Sequence, residues 1–205
     1  MASPFGRKKG TANKTVGGSG VSSTDNLDQL LKVLAGLTEL EVLVGFPEET
    51  DERKPDEENP NPPSNAVIAY IQDNGSPEAN IPARPFMIPA MQDARPQLTE
   101  SLYKGALDVL AHPKEAQRVV KLFIRTGLIA QNALRKKINE GIPPPLSEAT
   151  LLRRARRGRK GAKKELANRE AGLAASTQLA KPLIDTGQLR NAATYVLRKR
   201  SQRKK

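Results

Sequence analysis

The chain contains no cysteine, no tryptophan and a single histidine. The first absence excludes a disulfide framework, thiolate metal ligands and thiol catalysis. One histidine without cysteine cannot build a typical zinc site. That residue, His112, stands in a helix-breaking His-Pro pair and reads as a loop residue. Aromatics make up only 3% of the chain, and the apolar share of 37% lies below the roughly 45–50% usual in globular domains. Part of the 205 residues therefore falls outside any packed core. No run approaches the roughly 18 apolar residues of a membrane span. The first residues are basic but lack the apolar stretch of a signal peptide. A soluble protein made in the cytoplasm, with no membrane partner, is the expectation. Phosphate loops, dinucleotide fingerprints and nucleophile elbows are also missing. We expect no enzyme, no cofactor, no resident metal and no catalytic residue.

Positive charge is abundant. Thirty-four Lys and Arg against 22 Asp and Glu leave a net charge of +12 and a pI near 10.1. Such a balance favours a polyanion or an acidic protein as partner. The surplus is uneven. Residues 47–64 carry seven carboxylates and five prolines. Proline blocks helix and central strand alike, so this is an acidic loop. A metal site there is disfavoured, because the carboxylate spacing matches no calcium loop. Glu48, Glu49, Asp51 and Glu52 are candidates for contact with a neighbouring subunit.

The opposite extreme is RRARRGRKGAKK, with eight cations between Arg153 and Lys164. Arg153, Arg154, Arg156, Arg157, Arg159, Lys160, Lys163 and Lys164 repel one another unless anions neutralise them. They form either a solvated linker or a contact surface for phosphates or an acidic protein. Arginine predominates, which suits bidentate contacts. No aromatic residue is interleaved, so base stacking is disfavoured and any DNA contact is sequence-independent. The acidic loop of one copy can meet this basic run on the next.

Residues 1–24 are a Gly, Ser, Thr and Lys arm, too poor in apolar surface to offset its own ordering. A helix follows from Thr24 or Asp25, with Leu27, Leu30, Leu31, Leu34 and Leu37 at helical spacing and Gly36 near its end. Leu40, Val42 and Val44 alternate as in a half-buried strand. Asn65 caps a short helix over Ala66–Asp73, closed by Asn74-Gly75. NIPARPFMIP has prolines at 82, 85 and 89 and reads as extended. A helix is expected over Ala90–Leu110, kinked or started by Pro96. A second long helix from about Lys114 to Asn139 has Ala116, Val120, Phe123, Gly127, Ala130, Leu134 and Ile138 as its apolar face. Ser147 to Arg157 reads as a short helix, 165–180 as weakly helical, and Thr194–Leu197 as a strand. The fold class is α+β: a small antiparallel or mixed sheet packed against two long helices, with an N-terminal arm, an acidic loop and basic C-terminal segments.

Three phrases occur in order: NAVIAYIQDNG at 65–75, IPARPFM at 81–87 with Pro89-Ala90 behind it, and PLIDTGQL at 182–189. With the LS..T...R phrase at Leu146–Arg154, they resemble the tailed-bacteriophage head–tail joining neck proteins, also described as virion morphogenesis or tail-completion proteins. The likeness covers roughly residues 27–46, 65–157 and 181–198. It departs from the pattern in the length of the acidic loop and in a basic, Ala-rich stretch at 158–180, which reads as an insertion. The resulting organisation is an arm (1–24), a core (25–157) containing the loop 47–64, the insertion (158–180), a terminal turn and strand (181–198) and a basic tail (199–205). The resemblance implies a structural virion protein without catalysis. It would form a ring of six or twelve copies in the neck, between a head adaptor and a tail terminator, and let DNA pass. In that setting Arg84, Pro85 and Phe86 are candidate interface residues. Arg84 either pairs across subunits or within its own, and Asp185-Thr186-Gly187 is either a plain turn or a junction orienting the last strand. A basic, sequence-independent DNA-binding architectural protein is the alternative.

Overall fold

The computed structural model describes residues 22–47, 53 and 60–200. The architecture is α+β, with seven α-helices and one two-stranded antiparallel sheet among the described residues. The elements in chain order are α1 (Ser22–Glu39), β1 (Leu40–Gly45), α2 (Asn65–Asn74), α3 (Met87–Ala111), α4 (Gln117–Ile138), α5 (Glu148–Arg156), α6 (Lys160–Glu170), α7 (Gln188–Ala192) and β2 (Thr194–Lys199).

The centre is the antiparallel-style hairpin of α3 and α4, with the sheet lying on α4. β1 and β2 pair in register Leu40↔Lys199 to Gly45↔Thr194, joining opposite ends of the described chain. The alternation expected for β1 holds: Val42 and Val44 pack inward, while Leu43 is exposed. Two clusters fill the body. Phe86, Ala90, Leu134, Ile138, Leu183, Leu189 and Ala193 form one. Val33, Val109, Val119, Leu122 and Phe123 form the other.

Several expectations shift. Helix α1 begins at Ser22 and runs through Gly36 to Glu39 without a break. Its inward face is Val33 and Leu37, whereas Leu27, Leu31 and Leu34 are exposed. The leucine spacing defined a stripe, but the sheet and α4 cover only its Val33 side. On α4, Phe123, Gly127, Ala130, Leu134 and Ile138 are buried as expected, but Val120 is exposed and Val119 takes its place. Ser64, rather than Asn65, caps α2: its Oγ accepts from Val67 N at 3.3 Å. Pro89 lies in the first turn of α3 rather than in extended chain. There it removes only an amide that has no helical partner. Pro96 lies inside α3, which continues past it.

The largest difference concerns residues 148–180. The basic run is not a linker: it spans the end of α5, a turn at 157–159 and the start of α6. α5 and α6 pack against each other over a third cluster of Leu146, Leu151, Ala162 and Ala180. The buried Glu165 ties α6 to the segment that follows it. Its Oε1 accepts from Arg169 Nε at 3.1 Å and from Ser176 N at 2.7 Å. Arg169 Nη1 in turn donates to Leu146 O at 3.0 Å.

Candidate functional site

The four phrases singled out in the sequence meet in one place. α2 ends at Gly75, whose φ of +80° suits glycine. A side chain there would run into the backbone of Ala83. This turn brings the IPARPF segment back alongside α2, and Arg84 N donates to Gln72 O at 2.8 Å. Asp73, from the last turn of α2, accepts from Phe86 N at 2.7 Å and Met87 N at 3.0 Å through its Oδ1. A carboxylate from one helix thus caps the start of another, where the peptide dipoles favour negative charge.

Arg84 is 5% exposed. Its Nε and Nη2 both donate to Pro144 O, at 3.1 and 2.9 Å. Burial pushes its guanidinium pKa below the usual arginine value. No ion pair to a carboxylate is formed by Arg84 within the described residues, so its partners are carbonyls of its own chain. Of the three residues expected at an interface, Pro85 alone is exposed. Phe86 is fully buried, edge-on to Phe46 with ring centroids 6.3 Å apart. A core residue cannot touch a neighbour without opening the core, and its sequence signal was only its place beside Arg84.

The eight cations of the basic run divide into two groups. Arg154, Arg157 and Arg159 turn inward onto the PLIDTG phrase. Arg154 donates to Lys181 O, Ile184 O and Pro182 O at 2.8–2.9 Å. Arg157 Nη1 and Arg159 Nε reach the Asp185 carboxylate at 3.1 and 3.0 Å, and Arg154 Nε lies 3.9 Å from it. Three guanidiniums therefore share one carboxylate. Desolvation is the main reason that the Arg154 pKa falls below the ordinary value; Asp185 opposes the fall, and the charges of Arg157, Arg159 and Arg84 add to it. Asp185 thus belongs to this cluster rather than to an isolated turn. Arg153, Arg156, Lys160, Lys163 and Lys164 remain exposed on the α5–α6 hairpin.

Between these elements lies a groove of about 1190 Å³, running from Gln72 and Asn74 past Asn80 to Thr150, with Arg84, Arg153 and Arg154 in its wall. Among the described residues, no Asp or Glu lines it. Asp73, Asp185, Pro144 and Pro182 complete the site, and the sequence carried no sign of their partners. Glu48, Glu49, Asp51 and Glu52 lie outside the described residues, as do most of the N-terminal arm and the last five residues of the basic tail. Arg53 is described, and its Nη1 donates to Oδ1 of the buried Asn65 at 2.9 Å. Among the described residues, no three His, Asp or Glu side chains gather as a metal-binding set, and no helix is long and apolar enough to cross a membrane. Compared with protein-family models, curated proteins and solved structures, the chain matches none.

Proposed function

We propose that this chain is a structural subunit of a tailed-bacteriophage particle, forming a ring in the neck that joins the DNA-filled head to the tail. The observation that carries the reading is the convergence of the phrases. Residues 65–75 and 81–87 are joined through Asp73, 146–154 and 182–189 through Arg154 and Asp185, and Arg84 reaches Pro144, two residues before the third phrase. A set of phrases scattered by chance has no reason to build one contiguous region.

The surface supports an assembled protein. Leu27, Leu31 and Leu34 form an exposed apolar stripe on α1, and Val120, Ile124 and Leu128 form another on α4. Exposed apolar patches of this kind mark interaction sites. Two different patches on one chain are what a head-to-tail ring requires. The described sheet has only two strands, so neither edge is covered by a further strand.

In this reading the protein works without catalysis or cofactor, in six or twelve copies, between a head adaptor and a tail terminator. It is made in the host cytoplasm and ends in the virion. The five exposed cations of the α5–α6 hairpin favour the second reading, a basic protein that binds duplex DNA without sequence preference. Native mass spectrometry of the purified chain, with microscopy of particles, separates the two. Closed rings located between head and tail are expected. A persistent monomer that is absent from particles and binds duplex DNA in low salt would overturn the neck reading.

A further inference from the structure

We infer that the groove beside Arg84, Arg153 and Arg154 is the receptor for the acidic segment, residues 47–59, of a second copy of this chain. The inference rests on the ring reading for its geometry, but its chemistry stands on the groove alone. Arg84 is buried with carbonyl partners among the described residues, and Arg154 lies 3.9 Å from the Asp185 carboxylate, which Arg159 approaches more closely at 3.0 Å. Both line a groove to which no described Asp or Glu contributes, with exposed Arg153 at its side. Charge taken out of water without a counter-charge is costly, and an entering anion relieves that cost. The other titratable groups near the groove are already engaged or face outward. Asp73 is held by two amides of α3, and Glu78 and Glu148 are exposed.

The occupant follows from shape and charge. Arg84 is too deeply set for the phosphates of a stiff duplex, whereas single extended chain fits a concave site of this size. Residues 47–59 carry seven carboxylates against Arg53 and Lys54, leaving five negative charges. Prolines 47 and 55 restrict the backbone before binding, so less entropy is lost on seating the segment. Arg53 is tied to Asn65 at the first residue of α2, and the groove opens at that helix's last turn. A helix of ten residues separates the two by about 15 Å. Arg53 is therefore bonded at the end of α2 remote from the groove of its own chain, and a second copy is the occupant this assigns.

The test uses the full chain and a fluorescent synthetic peptide of sequence PEETDERKPDEEN. Saturable binding is expected, weakening as ionic strength rises past about 0.15 M, where the Debye length is roughly 8 Å. Arg153→Glu, a change at an exposed side chain, should weaken it about tenfold. The full chain carrying Glu48→Gln, Glu49→Gln, Asp51→Asn and Glu52→Gln together should lose assembled mass in native mass spectrometry. Absent peptide binding, or binding indifferent to Arg153→Glu, overturns the inference even if rings form. Peptide binding only to the chain with its own segment neutralised also overturns it, because the segment then occupies its own groove. Peptide binding that depends on Arg153, in a chain that never assembles, upholds the groove and defeats the ring instead.

Discussion

Arg84 grips Pro144 with two nitrogens, Nε at 3.1 Å and Nη2 at 2.9 Å, across 60 residues of sequence. The contact ties the entrance of α3 to the loop between α4 and α5. A bidentate guanidinium holds a carbonyl in a fixed direction, which a single ammonium cannot do.

Replacing this arginine tests how much the knot of phrases depends on it. Arg84→Ala removes two charge-assisted hydrogen bonds to Pro144 O and leaves a cavity where a buried side chain stood. A loss of about 2–4 kcal/mol is expected in urea unfolding. Arg84→Lys should lose a smaller amount. If Arg84→Ala unfolds within about 0.5 kcal/mol of the parent chain, the contact contributes nothing measurable.

Gly127 faces the ring of Tyr195 where β2 crosses α4. A Cβ at position 127 would overlap Cδ2 and Cγ of that ring. Alanine in mid-helix ordinarily gains up to about 1 kcal/mol over glycine. Here the overlap should win, because overpacking costs about 1–3 kcal/mol. Gly127→Ala is expected to destabilise the chain, and Tyr195→Ala should reverse the sign of its effect. A double-mutant cycle by thermal unfolding reads the coupling; additive effects would show that the close approach is relaxed at no cost.

Arg118 clips the end of α3 to the start of α4. It reaches Asp108 and Glu115, each at 2.8 Å. The hydrogen bonds from Arg118 hold both carboxyls below their ordinary pKa values, and the same bonds raise that of Arg118. Groups with depressed folded pKa values add stability above the unfolded value, near 4, and lose it as pH falls through the lower folded values. Melting temperature should therefore drop on acidification below about pH 4, and Arg118→Ala should make that drop shallower. The difference should be small and shrink with salt, because the carboxylates are exposed. Parallel melting curves of the two proteins across that range would remove the clip from consideration.

The sequence alone determined the local elements with strong periodicity or clear punctuation. Phe123, Gly127, Ala130, Leu134 and Ile138 marked the inner face of α4 because a helix repeats every 3.6 residues whatever surrounds it. The alternation of β1 was visible for the equivalent reason. Asn74-Gly75 ended α2 because a positive φ was required there. Other features depended on distant partners. Leu27, Leu31 and Leu34 lie outward and Val33 inward because of where α4 and the sheet lie, which no local spacing records. Arg154, Arg157 and Arg159 are chemically identical to Arg153 and Arg156. They turn inward because the Lys181–Asp185 segment, some 25 to 30 residues further on, offers carbonyls and a carboxylate. The ladder of β1 with β2 likewise closes almost the whole chain on itself. Helical and strand periods are local properties of the backbone, whereas the partner that satisfies a buried charge is set only when the chain has folded.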